Sequence, residues 1–264
     1  MTILEKIIEN KKKELAVCQK LSGTRDLEKS RLFSAPANSL KRALCDQSKT
    51  GIIAEFKRMS PSKGVINRSA DLAEVVKGYA CHGAAGLSIL TDAAFFGGSC
   101  EDLIAARDLV SVPLLRKDFI IDEYQVIEAK AAGADVILLI AAALEAKQAS
   151  KLASLAHLLG MEVLFEVHSA DELDLLNDHI DIIGVNNRDL MTFKINTDIS
   201  IELVDKIPSQ FLKISESGIT SPAIARRLIQ AGYNGFLIGE LFMGSDDPVA
   251  AFSAFTKELT SLPC

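Results

Sequence analysis

Short apolar runs that end in charged or amide side chains recur along this chain. In residues 51–64, GIIAEFKRMSPSKG, Ile52, Ile53 and Ala54 lead into Glu55, Phe56 and Lys57, and a Ser/Pro/Gly loop follows. Side chains alternate faces along a strand, so Ile53, Glu55 and Lys57 share one face. Holding a carboxylate and an ammonium behind apolar residues costs several kcal/mol unless they are paired or used. The arrangement returns at Leu114-Leu115-Arg116-Lys117-Asp118, Val163-Leu164-Phe165-Glu166, Ile182-Ile183-Gly184-Val185-Asn186 and Phe211-Leu212-Lys213-Ile214-Ser215-Glu216. Sites of this kind spread through one chain predict a shared polar pocket at one end of a sheet.

The periodicity of the rest places that sheet in a fold. Ile3, Leu4, Ile7, Ile8 and Leu15 fall near one helical face, with Glu and Lys between them. A polar stretch and a short helical segment near 39–45 follow. From Ile52 the texture becomes a regular alternation. Strands are predicted near 52–57, 86–91, 113–117, 135–140, 162–167, 181–186, 211–215 and 235–238. Helices are predicted near 70–82, 99–109, 122–132, 145–159, 169–177, 198–206, 220–231 and 246–260. Such alternation calls for a parallel sheet, and the count fits a closed α/β barrel, (β/α)8, as a single domain over 1–264 with 1–45 as a helical extension. Glycine turns lead from helix to strand at Gly83, Gly133, Gly160 and Gly232. They mark the stability face, whereas the polar strand ends lie on the opposite face, where barrel active sites are built. An open doubly wound sheet would announce a nucleotide with G-x-G-x-x-G after its first strand, and none follows Lys57. The extension is expected to pack across the barrel and partly cover the mouth.

Composition narrows the function classes. A net charge of −6 without a sustained basic block argues against nucleic-acid binding. The run Lys11-Lys12-Lys13 reads as a solvated helix face. Val136 to Leu144 is too short to span a bilayer, and the N-terminus lacks the order of a signal peptide, so cytoplasm is the expected location. Five cysteines (Cys18, Cys45, Cys81, Cys100, Cys264) include no C-x-x-C pair, and His82, His157, His168 and His179 lack metal-ligand spacing. No disulfide framework or metal site is expected. His168 shares the strand face of Glu166 by spacing, although a structural or loop role is the plainer reading.

The candidate chemistry gathers at the strand ends. Strand seven ends Ser215-Glu216-Ser217-Gly218-Ile219 and strand eight ends Ile238-Gly239-Glu240-Leu241. Loops at these two positions cradle phosphate in many barrels, with Gly218 and Gly239 permitting close backbone approach. Two ordinary turns are the alternative. The Glu240 carboxylate would repel a phosphate, so only its N–H suits the site. Glu55, Lys57, Lys117, Glu166 and Glu216 converge on one mouth, where mixed charges shift pKa values toward those of general acids and bases; a structural ion-pair network is the alternative. Asn186 could hydrogen-bond a hydroxyl or orient a carboxylate. Arg188 could bind an acid group or pair with a glutamate, unless the segment is a plain turn with Asp189 as a helix cap. Phe96 and Phe119 could wall a planar ring.

AEFKRMSPSKG, ILTDAAFFGGS, LLRKDF, LFEVH, GVNNRDL, SESGI and FLIGELFM, in this order, closely resemble the indole-3-glycerol phosphate synthase family. The resemblance spans essentially the full chain. It implies a small-molecule phosphosugar–anthranilate substrate and ring closure with loss of carbon dioxide and water, without metal or organic cofactor. By motif, Lys117 matches the general acid that protonates the ketone oxygen, and Glu166 a second acid–base residue acting around dehydration. Lys57 matches a lysine near the carboxylate and phosphate ends. Glu55, Asn186 and Glu216 match residues that position substrate. Ser217, Gly218, Gly239 and Glu240 match the phosphate cradle, and Phe96, Phe119 and Leu138 the wall around the anthranilate ring. Met59, Gly97 and Asn187 sit in loops and bear little on the resemblance.

Overall fold

Eight parallel strands close on themselves in chain order: β1 (Ile52–Phe56), β2 (Gly86–Leu90), β3 (Leu114–Lys117), β4 (Val136–Ile140), β5 (Glu162–Val167), β6 (Ile182–Asn186), β7 (Leu212–Glu216) and β8 (Gly235–Ile238), with β1 bonded to both β2 and β8. Every bound lies within one residue of its expectation. The structure, a computed structural model, describes residues 1–189 and 192–261; Leu190 of the GVNNRDL motif and Cys264 lie outside them. Cys18, Cys45, Cys81 and Cys100 are free thiols.

Strand alternation divides the apolar residues into two cores. Ile53, Leu115, Val136, Leu138, Ile140, Leu164, Ile182, Ile214 and Leu237 fill the barrel. Their neighbours Ile52, Ala54, Leu114, Ile137, Leu139, Phe165 and Ile183 pack outward against the helices. The inward set continues along each strand into Glu55, Lys117, Glu166, Asn186 and Glu216. Parallel register brings these to one rim: Asn186 stands opposite Glu216, and Glu166 opposite Gly184.

The outer layer holds helices Leu72–Cys81, Cys100–Leu109, Glu123–Ala131, Ala146–Leu158, Asp198–Leu203, Pro222–Ala231 and Pro248–Ser261. The helix expected over 169–177 is instead a 3-10 turn, Asp171–Leu175. Asp171 and Asp174 are weak helix formers, and the Glu172 carboxylate turns back to accept the His168 backbone N–H at 2.5 Å. At the rim, the βα connections carry pieces the periodicity did not predict. They are an antiparallel ribbon (Met59–Ser60 with Gly64–Val65) and the short helices Ala93–Phe96 and Glu240–Met243.

The extension runs from the mouth to the opposite end. A capping box of Thr2 and Glu5 opens the helix Ile3–Leu21, and Ile3, Leu4 and Ile7 reach the cavity at the mouth. The chain then passes beside the helix Glu123–Ala131, where Ser30 donates to the Ala131 carbonyl and Lys130 to the Ala35 carbonyl. The short helix Leu40–Cys45 closes the bottom. Leu40 and Leu44 join the barrel interior, lying so near Gly86 and Gly235 that a β-carbon there would stand 2.8 and 2.7 Å from them. Only the first helix lies at the mouth, so the extension covers both ends of the barrel rather than one.

The lysine run corrects the expectation of a solvated face. Lys12 and Lys13 are exposed, but Lys11 is 4% exposed, and its Nζ lies 2.8–2.9 Å from Glu14, Asp92 and Asp118. Burial alone would lower its pKa; Asp118 and Asp92 more than offset that and hold the ammonium above the ordinary lysine range.

Candidate active site

The polar strand ends surround a cavity of about 340 Å³ at the barrel mouth. Lys117, at the end of β3, donates to Glu166 Oε2 at 3.0 Å and Glu216 Oε2 at 2.6 Å. Lys57 lies just past β1 and donates back to Glu55 Oε1 at 2.5 Å. Asn186 donates through Nδ2 to Glu166 Oε1 at 3.0 Å, and its Oδ1 accepts the Arg188 N–H. Strand geometry thus assembles two ammonium groups and three carboxylates from four strands, with the Asn186 amide from a fifth, within one pocket. The second oxygen of Glu216 is buried without a hydrogen-bond partner.

Two glycines make room for this charge. A β-carbon at Gly239 would stand 2.5 Å from Glu55 Oε1, and one at Gly184 would stand 2.2 Å from Glu216 Oε1. Both contacts are closer than real β-carbons make, so larger residues there would displace the carboxylates.

Burial raises the pKa of the Glu216 carboxyl to about 7, with Glu166 and Glu55 adding to the rise and Lys117 opposing it. Burial acts on Glu166 in the same direction, but Lys117, His168 and Asn186 override it and keep this carboxyl well below the usual range. Burial would lower Lys117, yet Glu166, Glu216 and Glu55 hold its ammonium above the ordinary value. The pocket therefore holds a charged lysine between an ionised glutamate and one that keeps its proton near neutrality.

One side of the cavity is apolar. Phe96 and Phe119 face each other with ring centroids 6.0 Å apart, and Leu138 and the extension's Ile3, Leu4 and Ile7 line the same space. Another part is lined by Ser217, Gly218, Gly239 and Glu240. Ser217 and Gly218 both take left-handed backbone, at φ 66° and 79°, an uncommon conformation for serine. Arg188 pairs with Glu240 at 3.1 Å and reaches Ser62 at 3.2 Å, so it meets none of the rim glutamates. Lys63 adds a second cation 3.5 Å from Glu240. The Glu240 carboxylate, an obstacle to an anion on sequence grounds, is thereby compensated. Asp189 does not cap a helix: it accepts from the Thr192 N–H and hydroxyl, and among the described residues the next helix begins only at Asp198.

Sequence reasoning missed several supports. Asn187 is fully buried; its Nδ2 donates to Ser215 Oγ and to the Glu216 and Ser217 carbonyls, while its Oδ1 accepts from Ser200. It braces the left-handed Ser217, and only its step out of phase with Asn186 hinted at this. Ser62, Phe193 and Ile195 also line the cavity, from loops that carry no periodic signal.

Comparison with known proteins agrees in one direction. The family model described as "Indole-3-glycerol phosphate synthase" matches residues 4–255. Curated relatives of that name come from Bacteroides thetaiotaomicron (49% identical, covering 97% of this chain and 98% of the relative) and Laribacter hongkongensis (45%, covering 95% and 97%). A third, from a Polaromonas species, is 44% identical over 95% of this chain and 97% of its own. A solved structure described as "Native KDPGal structure" superposes with a TM-score of 0.58 over 82% of this chain and 95% of its own. At 15% identity that likeness bears on the fold alone.

Proposed function

This chain belongs to the indole-3-glycerol phosphate synthase family, and on that premise we propose which of its side chains carry the reaction. The enzyme is a carboxy-lyase of tryptophan biosynthesis. It closes the ring of 1-(2-carboxyphenylamino)-1-deoxyribulose 5-phosphate, releasing carbon dioxide and water and giving indole-3-glycerol phosphate.

The phosphate sits against Ser217, Gly218, Gly239 and the backbone of Glu240, with Lys57 as the cationic partner. The anthranilate ring lies between Phe96, Phe119 and Leu138. Arg188 acts through Glu240, keeping that carboxylate paired while the phosphate is bound. Lys117 donates a proton to the ketone oxygen as the ring carbon bearing the carboxylate attacks the carbonyl carbon. Carbon dioxide then leaves, and its bonding pair restores the aromatic ring. Glu166 handles the protons of the dehydration that follows, and Asn186 orients it. Glu216, with its proton near neutrality and an oxygen 2.6 Å from Lys117 Nζ, replaces the proton Lys117 has given up. Glu55 holds Lys57 in place.

The observation that carries this reading is Lys117 held between two carboxylates whose proton affinities differ. Among the described residues no helix is long and apolar enough to cross a membrane, which supports placing the enzyme in the cytoplasm. The test is indole fluorescence on the purified protein supplied with the carboxyphenylamino substrate. Lys117→Ala is expected to lower kcat by roughly 10²–10⁴. Equal turnover by variant and wild type would overturn the assignment of the acid.

A further inference from the structure

His168 stands two residues beyond Glu166, just past the end of β5, with its ring beside that carboxylate. Its Nε2 is 3.4 Å from Glu166 Oε1, and its Nδ1 is 3.5 Å from Glu172 Oε2 on the 3-10 turn. Both ring nitrogens are buried, although the side chain is 13% exposed, and neither has a closer partner. A neutral imidazole has one donor and one acceptor nitrogen, so it would turn a lone pair toward one of the two carboxylates. Only the doubly protonated ring suits both neighbours. Glu172 is fixed in turn, because it also accepts the His168 backbone N–H.

We propose that His168 is a positioning residue of the reaction: an imidazolium clamped between Glu166 and Glu172 that fixes the Glu166 carboxylate and keeps it ionised. The proposal rests on the role given to Glu166 above. Glu166 on the same strand and Glu172 on the turn are the charged groups set against the ring; beyond Glu166 stand Lys117 on β3 and Asn186 on β6. Burial would discharge the ring, but Glu166 and Glu172 outweigh it and raise its pKa to about 10. The ring therefore adds a positive charge to a mouth in which Lys57 and Lys117 face three carboxylates.

Two measurements test it. The first is independent of turnover: nitrogen-15 NMR of the histidine rings in the full-length protein at pH 8, with His168→Gln assigning the resonance. Both His168 nitrogens should carry protons in the wild type, and Glu172→Gln should move the titration down by about one pH unit, tenfold in proton affinity. A neutral His168 at pH 8 overturns the proposal whatever the enzyme's activity. The second is the pH profile of kcat by indole fluorescence. His168→Gln should lower kcat about tenfold near neutrality with KM within about twofold. Glu172→Gln should bring the alkaline loss of activity to lower pH by about one unit. Unaltered kcat and profiles in both variants refute positioning, even with a protonated ring. If the wild type does not turn over this substrate at all, the functional reading fails instead, while the NMR result still decides the state of His168.

Discussion

Replacing Glu216 with glutamine should stabilise the protein at pH 8 while impairing catalysis. The carboxyl is 2% exposed, and burial with Glu166 and Glu55 nearby takes its pKa from 4.5 to about 7 in the folded state. A folded value above the unfolded one means that the contribution to stability is complete below pH 4.5 and is lost as pH rises through 7. At 1.36 kcal/mol per pH unit the loss amounts to about 3 kcal/mol at pH 8, but only about 0.8 kcal/mol at pH 5. Glutamine cannot ionise, matches the shape and leaves Lys117 an oxygen acceptor, so Glu216→Gln escapes the loss. For a chain of this length about 3 kcal/mol corresponds to a rise in Tm of roughly 6–12 °C. Urea and thermal unfolding of both proteins at pH 5 and pH 8, followed by circular dichroism, make the comparison. An advantage of the same size at both pH values would refute the reasoning, as would a variant less stable than wild type at pH 8.

The neighbouring lysines of the first helix should respond in opposite ways. Lys11→Met strands the Asp92 carboxylate in the interior, while Asp118 keeps Arg116 at 3.1 Å; it should cost about 3–5 kcal/mol in urea unfolding, whereas Lys12→Met should stay within about 0.5 kcal/mol. Arg188→Ala leaves Glu240 with only the more distant Lys63 as a compensating cation. It should raise KM about tenfold in steady-state assays, equivalent to about 1.4 kcal/mol of binding, and weaken inhibition by inorganic phosphate in parallel.

The barrel and the inward charges were legible because both obey local rules. Alternation says which side of a strand faces inward, so Glu55, Lys117, Glu166, Asn186 and Glu216 could be assigned to one rim before any contact was known. Pairings between distant segments obey no such rule. Lys11 sits four residues from Ile7 and from Leu15, which puts it on the buried helical face, yet its partners Asp92 and Asp118 lie in two other loops. Arg188 offered an anion site or a glutamate partner on sequence grounds, and only the folding of β6 toward β8 makes that partner Glu240. The leucine spacing at 171–175 fits a helix, while the His168 backbone N–H, which donates to the Glu172 carboxylate there, leaves no periodic mark.

The same distinction explains where the resting proton lies. Glu166 and Glu216 both face inward at the mouth end of their strands, and both reach Lys117. One ammonium cannot compensate two buried carboxylates, so one of them keeps a proton. Glu166 has in addition the Asn186 amide and the His168 ring, brought by β6 and by its own strand. Glu216 has no comparable donor on its second oxygen, which lies over Gly184 where a side chain would otherwise be. The difference in partners, rather than in burial, places the charge on Glu166 and the proton on Glu216. It leaves Lys117 beside a base on one side and a proton source on the other, the asymmetry an acid needs if it is to be recharged within a single turnover.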